Sequence, residues 1–101
     1  MEVVEPRIEN VMSIENSLTF RINIRKVLLE VWDPIGIRAV PQAQEEYDDY
    51  LGRITQLLVE EASDQEIVEY LYLIETQTLG LPEHDKALLL PAARALKKIM
   101  P

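Results

Sequence analysis

The sequence predicts an all-α fold, a compact bundle of four to five helices joined by short turns, and three observations predict it. Apolar residues recur at three- and four-residue spacing through most of the chain. Glycine is rare, prolines sit at punctuating places, and no Asn-Gly hairpin signal occurs. The 101 residues are 48% hydrophobic, which suits one domain with one core.

Phe20, Ile24, Val27, Leu28 and Val31 form one face of a first helix. It should stop at Trp32 or Asp33, because Pro34 disfavours helical backbone in the residue before it. Asp33-Pro34-Ile35-Gly36 reads as a type I turn, with Asp33 bonding the turn backbone. Trp32 is expected to anchor one end of the bundle with its N–H bonded locally. A second helix is expected from Pro41 to about Ala62, with Tyr47, Tyr50, Leu51, Ile54, Leu57 and Leu58 as its stripe. Ser63-Asp64-Gln65-Glu66 is a capping-box pattern, so a third helix should begin at Asp64. Ile67, Leu71, Ile74 and Thr78 form its inner face, and Gly80 suits the residue just past its end. A last helical region runs from about Glu83 to Ile99, kinked or broken at Pro91. The bundle proper is thus 19–101. Residues 1–18 fit either a short helix, through Val4, Ile8, Val11 and Met12, or an extended piece docked on the bundle.

The formal charge is −8, and it is unevenly spread. Residues 1–38 carry six acids and five bases, 39–85 twelve acids and one base, and 86–101 four bases and no acid. An acidic chain repels phosphate backbones and anionic lipid, so neither nucleic acid nor a membrane is the expected partner. No apolar run reaches the roughly 20 residues of a membrane span, and the first residues lack a signal peptide's basic start. There is no cysteine, hence no disulfide, thiolate site or thiol nucleophile. These features fit a cytoplasmic location.

No catalytic residue is assigned. His84 is the single histidine, and its place between Glu83 and Asp85 suggests a capping or exposed role. No Gly-x-Ser-x-Gly elbow or glycine-rich phosphate loop is present, so an enzyme is not expected, and neither a cofactor nor a metal. Glu45 and Asp49 lie one helical turn apart, but paired carboxylates on one helix rarely hold a cation alone.

The richest constellation is Glu45-Glu46-Tyr47-Asp48-Asp49-Tyr50. On a helix, Tyr50, Leu51, Ile54 and Leu58 fall within about 60° of Tyr47. Glu45, Asp48, Asp49 and Glu60 then form an outward acidic ridge. The third helix adds Glu69, and Tyr72, about 140° from Ile67, turns toward solvent. Glu45, Asp48, Asp49, Glu60, Glu69 and Tyr72 are therefore the candidate contacts for a basic protein partner. A solvated surface explains the same carboxylates without a partner.

Trp32-Asp33-Pro34-Ile35-Gly36-Ile37, then Pro41-Gln42-Ala43 and Glu46-Tyr47-Asp48-x-Tyr50, then Ile74-Glu75 with Gly80-Leu81, make up a longer pattern. Over about residues 24–82 it resembles a widespread set of small acidic bacterial helical proteins with a W-D-P-I-G motif. Some of that kind look like immunity proteins of contact-dependent growth inhibition, made beside secreted toxins. The resemblance implies a helical domain; the likeness to immunity proteins, with the acidic block 39–85, leads to the expectation that it binds and neutralises a cognate basic toxin, of nuclease type, by occluding its active site or substrate surface. It would be a monomer or weak dimer when free. The competing expectation is a stand-alone structural or homodimeric domain, pairing through Leu73, Leu90 and Tyr72.

Overall fold

A computed structural model describes residues 18–99, and among these the chain is helical with no strand. The expectations for residues 1–17 lie outside the described residues. Helix α1 covers 18–27 and closes in a wider π turn at Leu28–Trp32. Helices α2, Leu51–Val59, α3, Asp64–Leu73, and α4, Leu90–Lys97, follow. Helix α3 packs on α4 and on the 3-10 turn Lys86–Leu89, while α4 also meets the end of α1. The core gathers Phe20, Ile24 and Leu28 from α1, Leu51, Ile54 and Leu57 from α2, Ile67 and Leu71 from α3, and Ala93 and Leu96 from α4.

Helix α1 ends where expected, and the ending has an identifiable cause. Asp33 adopts left-handed backbone, φ 36°, and its N–H donates to the Leu28 carbonyl at 2.8 Å. Such a turn holds more residues per revolution than an α-helix. It swings Trp32 inward and leaves Val31, expected on the inner face, 46% exposed. The Asp33–Gly36 turn forms as expected, closed by Gly36 N–H to the Asp33 carbonyl at 3.2 Å. Gly36 sits at φ +67°, which a side chain would strain.

The second helix is shorter than expected. Pro41–Ala43 and Asp48–Tyr50 are separate 3-10 turns, and α-helix begins only at Leu51. The intervening bonds all span three residues, as in Asp48 N–H to the Glu45 carbonyl. Glu45, Asp48 and Asp49 would stack like charges three and four apart on an α-helix. Two tethers also hold this stretch, through Tyr47 and Asp48.

The capping box forms as expected. Ser63 Oγ accepts from the Glu66 N–H at 3.1 Å, and the Glu66 carboxylate accepts from the Ser63 N–H at 3.0 Å. Ser63→Ala is expected to lower stability by about 1 kcal/mol, read as a lower urea midpoint at unchanged slope. Helix α3 runs on through a π turn, Ile74–Thr78, and Gly80 past it is left-handed at φ +67°. Thr78, expected on the inner face, stands exposed at the helix end. Pro91 lies in the first turn of α4, so the last region is two pieces, as the expected break allows. The basic C-terminal end folds onto the acidic middle, with Arg94 and Lys97 each within 3.6 Å of Asp64.

Candidate interaction surface

Three pieces of the resemblance motif meet inside the fold. The Tyr47 ring is buried, 1% exposed, and packs 5.2 Å from the Trp32 ring centroid. Its hydroxyl donates to Asp33 Oδ1 at 2.9 Å and accepts from the Ile35 N–H at 3.2 Å. Asp33 also accepts from the N–H groups of Ile37 and Arg38, at 2.8 and 3.2 Å. Burial opposes ionisation of Asp33, but these donors and the Arg38 charge outweigh it and hold its carboxyl below the usual range. Trp32, Asp33, Gly36 and Tyr47 therefore serve the turn and the core.

The Trp32 N–H is not bonded locally. It donates to Glu75 Oε2 at 2.8 Å, 43 residues away. Glu75 is a buried carboxylate, 5% exposed, and its Oε1 lies 2.5 Å from His84 Nε2. His84 Nδ1 meets the Asp85 carbonyl at 2.8 Å. His84 is thus half-buried and engaged at both ring nitrogens, not a free cap. The Glu75 hydrogen bond, then the Asp85 carbonyl, outweigh burial and raise its pKa above the ordinary imidazole range. Sequence reasoning missed Glu75 as a structural centre. The available signal was an acid lying within the apolar arc of the third helix, one position past Ile74.

The six candidate contacts are not one ridge. Asp48 is half-buried and takes a two-pronged bond from Arg25, Nε to Oδ1 at 2.9 Å and Nη2 to Oδ2 at 2.6 Å. This corrects its outward placement, because the 3-10 turn rotates it from the α-helical direction toward α1. Glu69 is exposed but already holds Lys86, with Nζ 3.0 and 3.1 Å from its two oxygens, and Gln65 at 2.7 Å. Tyr72 is half-buried rather than open to solvent. Its ring meets His84 edge-on at 5.3 Å, and Lys86 Nζ sits 5.0 Å from its centroid. The segment after α3 folds back over it, which a wheel of one helix does not reveal.

Glu45, Asp49 and Glu60 remain exposed. Glu45 and Asp49 make no ion pair with another described residue, and no group of three metal-ligating side chains gathers there among the described residues. Glu46 is exposed beside them. Burial first, then the charges of Asp49 and Glu46, raise the pKa of the half-buried Tyr50 hydroxyl, so both carboxylates lie near it. Glu60 stands at the other end of α2, roughly 13 Å away along a nine-residue helix. Glu46 and Asp49 beside Tyr50 are thus one acidic edge, with Glu45 exposed nearer Arg25, and Glu60 with the exposed Glu61 another.

Positive charge borders this segment, because Arg25 holds Asp48 and lies near Glu45. Arg25, Lys26 and Arg38 rim an open groove of about 390 Å³ over Ile22 and Leu29. Of the three positions expected at a dimer face, only Leu73 is exposed, at 54%, while Leu90 and Tyr72 are half-buried. No helix among the described residues is long and apolar enough to cross a membrane. No family model matches the chain, nor does any curated protein or solved structure.

Proposed function

We propose that the chain is an immunity-type binding protein. It neutralises a cognate basic toxin, of nuclease type, by covering the active site or substrate surface. The observation that carries this reading is the exposed acidic edge of Glu46 and Asp49 beside Tyr50, with Glu45 exposed a turn before Asp49. The neighbouring Asp48, and Asp64 and Glu69 farther along, are matched by cations of the same chain. At this edge the carboxylates of Glu46 and Asp49 stand exposed beside an amphipathic ring, and Glu45 is exposed close by in sequence. Such a group pairs with the Arg and Lys side chains that hold substrate phosphates on a nuclease. Tyr50 adds contact area that costs little conformational entropy. Glu60 and Glu61 extend the attraction without needing to touch the same cations. Asp48 and Glu69, expected as contacts, are assigned instead to holding the fold.

The test is growth rescue. Cells expressing a basic nuclease toxin encoded beside this chain are expected to survive when the chain is co-expressed. The Glu45→Lys/Asp49→Lys variant is expected to lose that protection while staying folded. Full protection by the variant would move the interface away from this edge.

A further inference from the structure

The His84–Glu75 contact has a proton count that the geometry fixes. The Asp85 carbonyl oxygen only accepts, so its 2.8 Å contact requires hydrogen on Nδ1. The 2.5 Å contact between Nε2 and Glu75 Oε1 requires a second proton between those two atoms. The pair therefore holds two protons, as imidazolium with carboxylate or as imidazole with carboxylic acid. Removing one leaves lone pairs facing each other at one of the two contacts. If the remaining ring proton sits on Nδ1, Glu75 is a buried carboxylate with only the Trp32 N–H as donor, a costly state; if it sits on Nε2, the Asp85 carbonyl faces a lone pair.

The surroundings make His84 the fastening point of its segment. Leu81 is held by its N–H to the Glu75 carbonyl at 2.8 Å, and Asp85 caps the next turn by accepting from the Ala87 N–H at 2.9 Å. Pro82 and Glu83 are exposed between them. His84 faces Glu75 from the π turn, the Tyr72 ring from α3, and Asp85 from its own segment. Lys86, held by Glu69, lies over that Tyr72 ring. The Lys86 charge disfavours a second cation here, whereas Glu75 and Asp85 favour it.

We propose that His84 and Glu75 form a proton-operated latch. It fastens residues 82–84 against α3 and the Trp32 end of α1, and it opens, with the helices in place, when the pair loses one proton. The sign follows from the raised pKa of His84. The latch is fully closed below the ordinary imidazole value and is lost as pH rises through the raised one. Between those values the opening constant grows about tenfold per pH unit, then levels off.

The full chain provides its own reporters, one histidine and one tryptophan. Proton NMR follows the His84 ring, and the Trp32 indole N–H reports exchange with water. The expected result is a His84 titration above the ordinary imidazole value. Indole protection, corrected for intrinsic exchange, falls about tenfold per pH unit up to that titration and then levels off. Helical circular dichroism stays constant over the same range. In His84→Gln, indole protection is expected to lose its pH dependence. Three results would each overturn the latch: an ordinary His84 titration with flat indole protection, a pH-dependent loss that persists in His84→Gln, or a loss of helix signal in step with it.

Discussion

Trp32→Ala is expected to lower the unfolding free energy by about 3–5 kcal/mol, which for a domain of this size is a large part of the total. Two losses combine. The indole fills the junction where Tyr47 and Tyr50 pack on it, with ring centroids at 5.2 and 6.2 Å. Its N–H is also one of the two hydrogen-bond partners of the buried Glu75 side chain. Trp32→Phe separates the two, since it keeps a ring and removes the donor. It is expected to cost about 1–3 kcal/mol, the penalty of an under-satisfied buried acceptor plus some lost packing. Urea unfolding of the three proteins measures both. Equal stability of Trp32→Phe and the parent would mean that the Glu75 bond contributes nothing.

Asp48→Lys and Asp49→Lys, at adjacent positions, are expected to fail in opposite ways. Asp48→Lys sets a cation against Arg25 and breaks the two-pronged bond that ties the 3-10 turn to α1. The expected loss is about 1–2 kcal/mol, toward the low end for a charged hydrogen bond because the Arg25 side chain is 38% exposed. Asp49→Lys touches no described ion pair and should leave the urea midpoint unchanged. Combined with Glu45→Lys, it should instead slow association with a basic partner by about ten- to a thousandfold, the range over which steering changes on-rates. Measuring midpoint and association rate for each variant separates residues that hold the fold from residues that face the partner. If Asp48→Lys were harmless and Asp49→Lys unfolded the chain, the assignment of the two neighbours would be reversed.

Local signals in the sequence carried most of the fold. Ser63 and Glu66 needed only each other to mark the start of α3, and Pro34 needed only the residue before it to end α1. Gly80 likewise sat where left-handed backbone was required. The second helix was overdrawn because a 100° wheel assumes α-helical backbone. Around Glu45–Asp49 the like charges and the two tethers, Tyr47 to Asp33 and Asp48 to Arg25, hold the chain in 3-10 turns.

The site was legible in part. Glu45, Asp49 and Glu60 are exposed as read, because each depends on its own neighbourhood. Asp48, Glu69 and Tyr72 were not legible, because their partners Arg25, Lys86 and His84 come from other elements. Glu75 shows the same limit. Its two partners lie 43 residues before it and nine after it, and no spacing rule pairs an acid with either.

Under the proposed function, the exposed carboxylates of Glu45, Glu46 and Asp49 meet a basic partner. The most direct measurement is the association rate of the purified chain with the proposed basic toxin as ionic strength rises. From about 0.05 to 0.5 M salt the rate should fall about tenfold or more, and the Glu45→Lys/Asp49→Lys variant should already be slow at low salt. A rate that is the same at both salt concentrations, and the same in the variant, would contradict the claim.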